Sequence, residues 1–155
     1  MIKYIISLAA IIVFLTGCVT TKEQTRYNEA LIDGPKQVAL VGQRQPWLSQ
    51  IEKRLRAKGF KVKRLTEKVS NTTTETYSQE SARVILVVDG YAPNKVMDRC
   101  IAGGYLFAFI NVELIDKAKN EIIATYTNSG FSENCAHLSG TIFTDITNLV
   151  DDTFK

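Results

Sequence analysis

Histidine is nearly missing from this chain: a single residue, His137, stands among 155. With Cys100 and Cys135 it offers one imidazole and two thiols, one protein ligand short of the four that a structural zinc site takes, so His137 reads as a surface residue beside a cysteine. A Ser-His-Asp relay would have to pair it with a serine that no Gly-x-Ser-x-Gly turn marks. The chain also lacks a Cys-x-x-Cys redox pair, a glycine-rich phosphate loop and any internal repeat. No apolar run reaches the ~20 residues that a membrane-spanning helix needs. The formal net charge of +3 calls for no polyanionic partner.

What is present begins at the N-terminus. Lys3 precedes an apolar run from Tyr4 to Leu15 that only Ser7 interrupts. As helix it would be roughly 18 Å long, too short for a hydrocarbon core of about 30 Å. A cation, an apolar stretch and small residues read as a secretory signal. The run ends in Leu15-Thr16-Gly17-Cys18, which resembles the lipobox of bacterial lipoproteins. That resemblance implies that residues 1–17 are a signal peptide and that Cys18 becomes the mature N-terminus. It would carry a diacylglycerol thioether and an N-acyl chain such as palmitate, with no further cofactor. One acyl chain holds a protein weakly, and two or three hold it stably. The residue after Cys18 is Val19 rather than the Asp linked to inner-membrane retention in enteric bacteria. The expected location is therefore the periplasmic face of the outer membrane, where nucleic acid is not a partner.

Setting Cys18 aside leaves Cys100 and Cys135 as an even pair in an oxidising compartment, the setting in which a disulfide forms. The alternative is two buried free thiols. Both cysteines flank the open end of a hairpin read between Tyr105 and Phe131, which favours the disulfide.

The remaining organisation is expected as a tether over residues 18–36 and one domain over 37–155. Val38–Val41 reads as a buried strand. Pro46 suits a helix start, Leu48, Ile51 and Leu55 share a helical face, and Gly59 stops the helix. Phe60–Leu65 alternates as a second strand. The polar stretch 66–81 holds at most a short helix near Tyr77–Ser81. Val84–Val88 is apolar on both faces and so central in its sheet. In the strand Tyr105–Ile115, Leu106, Ala108, Ile110, Val112 and Leu114 make one apolar face. A turn with Asn120 in left-handed backbone leads to Glu121–Phe131. Ser139 is expected to cap a last helix with Ile142, Ile146, Leu149 and Val150 inward and Phe143 and Phe154 as satellites. The fold class is α/β, in the wider sense α+β: a single mixed, largely antiparallel sheet of about five strands, with helices packed on it.

The order β-α-β, three strands and a helix resembles a periplasmic α/β domain family. It includes the curli-secretion lipoprotein, the lipoprotein activator of penicillin-binding proteins and the N-terminal domain of the Tol translocation protein. The resemblance rests on Val38–Leu65 and on Val112-Glu113-Leu114-Ile115-Asp116 with Glu121-Ile122-Ile123. The family's usual Thr-Gly turn is replaced by Lys119-Asn120, and the two cysteines lie outside its pattern. It implies no single task.

Four carboxylates, Asp89, Asp98, Glu113 and Glu133, are the only ones singled out for acid/base work such as glycan cleavage, and nothing in the sequence brings two of them together. Lys53, Arg54, Arg56, Lys58, Lys61, Lys63 and Arg64 form a dense basic segment: a solvated helix face and a Lys-guarded edge strand, or a surface for anionic headgroups or an acidic protein. Tyr105, Phe107 and Phe109 form the odd face of a strand, either core or an exposed ladder for a partner or for self-assembly. The expected function is a membrane-anchored, non-enzymatic interaction module in envelope assembly or maintenance, its partner an envelope protein. The alternative is a self-assembling secretion or envelope component. Oligomeric state is left open by the sequence.

Overall fold

The computed structural model describes residues 22–27, 31–65, 82–93, 100, 103–135 and 138–155. The lipobox with Cys18, the Tyr77–Ser81 segment, Asp98 and His137 lie outside the described residues. In chain order the elements are β1 (Glu23–Arg26), β2 (Gln37–Val41), α1 (Leu48–Ala57), β3 (Lys61–Leu65), β4 (Val84–Tyr91), β5 (Leu106–Asp116), β6 (Glu121–Phe131) and α2 (Ile142–Asp151). The strands form one six-stranded sheet in the order β1-β6-β5-β4-β2-β3. β2 runs parallel to both β3 and β4, and the other pairs are antiparallel. This is the mixed α+β sheet expected, with one strand more.

The added strand corrects the expected tether. Glu23–Arg26 pairs with β6, from Glu23 opposite Thr127 to Arg26 opposite Ala124, and Ile32 bridges to Phe154 beyond α2. β1 reads Glu-Gln-Thr-Arg and has no apolar face. An edge strand of this kind is held by its backbone ladder, so hydrophobic periodicity does not reveal it.

Both helices pack on one face of the sheet. Leu48, Ile51 and Leu55 of α1 and Ile142, Ile146, Leu149 and Val150 of α2 are buried there, with Phe143 and Phe154. They meet Val38, Leu40, Val84, Leu86, Val112, Leu114 and Tyr126 in one core. Gly59 ends α1 with φ 87°, and the Phe60 N–H returns to the Leu55 carbonyl. The Phe60 ring then meets Phe154 edge-on at 5.2 Å. A smaller cluster of Ala39, Val41, Ala82 and Ile85 occupies the other face of the sheet.

The start of α2 also differs from expectation. Its first residue is Ile142 and its N-cap position is Thr141, not Ser139. The first-turn N–H groups of Phe143 and Thr144 donate to the two carboxylate oxygens of Glu133, at 3.1 and 2.6 Å. A carboxylate ten residues upstream thus satisfies donors that helix geometry leaves unpaired, where the helix dipole also favours negative charge.

Candidate functional site

Four cations of the basic segment, Arg54, Arg56, Lys58 and Arg64, meet carboxylates, one of them Glu52 on the same helix and the others distant along the chain. Glu52 accepts from Arg56 at 2.9 Å and also from Arg64. Burial works against ionisation of Glu52, but the hydrogen bonds and charges of Arg56 and Arg64 outweigh it and hold its carboxyl below the usual range. Asp151 pairs with Lys58 at 3.0 Å and with Lys36 at 2.7 Å. The Lys36 hydrogen bond is the largest reason that Asp151, too, titrates below its ordinary value. Arg54 lies 3.9 Å from Glu133 and donates to Thr144. The segment therefore ties α1 to β3 and α2, as a solvated and paired surface does. Asp151, and Asp145 described below, were not singled out in the sequence because their partners lie far away along the chain.

The aromatic face divides. Tyr105 and Phe107 are buried, while Phe109 is 40% exposed. The ladder explains this: Phe107 pairs with Gly130 and Ile110 with Asn128, so two residues of β5 oppose one of β6. The irregularity turns Phe107 onto the same face as Ile110, Val112 and Leu114. There it packs edge-on against Trp47 at 5.3 Å and Phe143 at 5.9 Å. Of the two readings of this face, core holds for Tyr105 and Phe107, and exposure holds for Phe109 alone, whose cross-strand partner is the exposed Tyr91. Leu106 and Ala108 lose their expected places in the core for the same reason, Leu106 being half-buried and Ala108 exposed.

Among the candidate carboxylates, Glu133 caps α2. Asp89 pairs with Asn111 and Glu113 with Val87, which puts the two acids diagonally on neighbouring strands of the face away from the helices. Both are exposed there. Neither lines the two cavities below. Among the described residues no group of three or more His, Cys, Asp or Glu could hold a metal ion, and no helix is long and apolar enough to cross a membrane.

One end of the sheet gathers the remaining features. Cys100 and Cys135 are joined there, with Cα atoms 4.8 Å apart. A cavity of about 260 Å³ opens at the carboxyl ends of β2 and β3, lined by Leu40, Gly42, Arg44, Leu48, Arg64 and Leu65. A second, of about 370 Å³, lies between the end of β6 and the start of α2, where Lys22, Asn128, Phe131 and Leu138 contribute to its walls. Beside it runs a polar network. Asn128 donates to the Tyr126 hydroxyl at 2.6 Å, and that hydroxyl donates to Asp145 at 3.3 Å. Asp145 also accepts from Thr141 at 2.8 Å and pairs with Lys22 at 2.8 Å. Burial pushes the Tyr126 hydroxyl well above the usual tyrosine range; the Asn128 hydrogen bond opposes this and the Asp145 charge adds to it. Tyr126 therefore stays protonated as a structural donor.

This arrangement of strands and helices has solved counterparts. A variant of PelC from Paraburkholderia phytofirmans, solved as a dodecamer, superposes with a TM-score of 0.53 at 20% identity, covering 88% of this chain and 100% of that one. A further PelC dodecamer structure from the same organism matches at TM-score 0.49 and 16% identity, covering 88% of this chain and 99% of that one. At 20% identity the likeness to the first is one of fold. No protein-family model matches the chain, and no curated protein matches it.

Proposed function

We propose that this chain is a lipid-anchored protein of the bacterial envelope, held at the periplasmic face of the outer membrane and acting through protein contacts rather than catalysis. The observation that carries the reading is Leu15-Thr16-Gly17-Cys18 at the end of a short apolar segment. The side chains support it: Arg54, Arg56, Lys58 and Arg64 of the basic segment are paired within the fold, Glu133 is taken up by a helix start, and Asp89 and Glu113 lie on an exposed strand surface. Cys18→Ala is expected to abolish incorporation of labelled palmitate and to leave an uncleaved precursor. Normal labelling of that variant would overturn the anchor.

Self-assembly is the second reading, and one observation favours it: 88% of this chain matches the whole of a chain that was solved as a dodecamer. The two edge strands, β1 and β3, lie at opposite sides of the sheet, so a head-to-tail contact would use different surfaces on each copy and could close into a ring. Light scattering on the detergent-solubilised full chain distinguishes the readings. A mass of many protomers supports self-assembly, and a monomer supports an adaptor that meets a different protein.

A further inference from the structure

The geometry points to a membrane-docking end: Leu138, Tyr91 and Phe109, with the cation Arg44, rest on the phospholipid leaflet that carries the anchor. This rests on the lipidation of Cys18 proposed above. Six large apolar side chains are exposed among the described residues: Tyr27, Leu31, Tyr91, Phe109, Ile122 and Leu138. Exposure alone does not select an end of the sheet, because Tyr27, Leu31 and Ile122 lie towards the opposite one. The length of chain between the anchor and the fold does.

Lys22 is the fourth residue after Cys18, so a fully extended chain places it no more than ~14 Å from the lipidated sulfur's residue. The chain is held to the domain from this point on. Lys22 is ion-paired to Asp145 at 2.8 Å, and the next residue, Glu23, is already in the ladder opposite Thr127. The anchor therefore pulls on one place, the cavity wall shared by Lys22, Phe131 and Leu138.

Leu138 is 61% exposed on that wall, and Tyr91, at the end of β4, is 58% exposed. Tyr91 and Phe109 form a cross-strand pair at the same end of the sheet as Leu106 and Phe131. An aromatic ring with a hydroxyl suits the headgroup boundary, where one edge is apolar and the other wet. Arg44, in the loop after β2, is exposed and has no ion-pair partner among the described residues, so it is available to anionic headgroups. Tyr27 lies four residues beyond Glu23 of β1, and Ile122 lies five residues from Thr127, the partner of Glu23, on β6. At about 3.4 Å per residue that is roughly 15 Å away from the anchored end.

The test uses the lipidated full chain in vesicles of phosphatidylethanolamine and phosphatidylglycerol. Three single variants, Leu138→Cys, Tyr91→Cys and Ala118→Cys, are each labelled with an environment-sensitive fluorophore while the native disulfide stays intact. Ala118 lies in the β5–β6 turn at the far end. Flotation with the vesicles reads the anchor, and quenching by lipids carrying a nitroxide reads the docking. Blue-shifted emission and severalfold stronger quenching at 138 and 91 than at 118 is the expected result. Flotation with equal quenching at all three sites, or with stronger quenching at 118, overturns the docking while the anchor stands. A blue shift at 138 and 91 without lipid quenching overturns it in favour of a second copy covering this end. Failure to float overturns the anchor and the docking with it.

Discussion

Phe107 and Phe109 stand two positions apart on β5, and one extra residue in the strand gives them opposite surroundings. Strict alternation would put both on the face away from Ile110 and Val112. The irregularity at Phe107 and Ile110 puts Phe107 in the core against Trp47 and Phe143 and leaves Phe109 at the surface. Removing a buried ring costs the lost transfer free energy plus the cavity left behind. Phe107→Ala is therefore expected to lower unfolding free energy by about 3–5 kcal/mol, and Phe109→Ala by no more than ~1 kcal/mol. Urea denaturation of the two variants measures both. Equal losses would mean that the strand alternates without the extra residue.

At the scale of elements, the sequence was legible wherever burial imposes a period. The inward faces of α1 and α2 read correctly, as did the doubly buried β4 and the left-handed Asn120 at φ 54° in the β5–β6 turn. It was not legible where backbone pairing or a distant side chain supplies the stabilisation. β1 has only a ladder, and the carboxylate that caps α2 comes from Glu133, outside the local window in which Ser139 was the natural choice. Asp116, which closes the β5–β6 hairpin, shows how a turn acquires pH dependence. It is 2% exposed, accepts from the Ala118 N–H at 2.9 Å and lies 3.2 Å from Arg83. Burial acts to raise its pKa, but the Arg83 and Ala118 hydrogen bonds with the nearby positive charge outweigh it and leave the carboxyl below its ordinary value. A carboxyl depressed by folding contributes stability above its unfolded pKa of about 3.9, and that contribution is lost as pH falls through the folded value. Asp116→Asn should therefore be less stable than the parent by ~1.5–3 kcal/mol at neutral pH, the range for hydrogen bonds to a charged group. The gap should narrow in strongly acid buffer, where the parent carboxyl is protonated as well. Chemical denaturation at the two pH values checks this, and a gap that does not change with pH would contradict it.

For the whole molecule, the Cys100–Cys135 bond fastens the chain before β5 to the chain after β6, so that the long hairpin is closed at both ends. The cysteines are 35 positions apart. The native hairpin already holds them together through its ladder and through the Ser132 N–H, which donates to the Tyr105 carbonyl at 2.8 Å. Most of the effect of the bond must then fall on the unfolded chain, which loses the freedom to open this loop. For a loop of this size the chain-entropy model gives about 4 kcal/mol. Close packing in the native state limits what can replace it: a Cβ on Gly104 would lie 2.5 Å from the Cys135 sulfur and 2.5 Å from the Glu133 carbonyl. Reduction should therefore lower the Tm by roughly 10 °C or more for a domain of this size, while β5 and β6 stay paired below the transition. A double Cys100→Ser, Cys135→Ser variant should melt close to the reduced protein. Mass spectrometry without reduction should find the two cysteines on one cross-linked peptide pair. Two thiols that alkylate before reduction, with a Tm that reductant leaves unchanged, would show that the hairpin alone holds this end together.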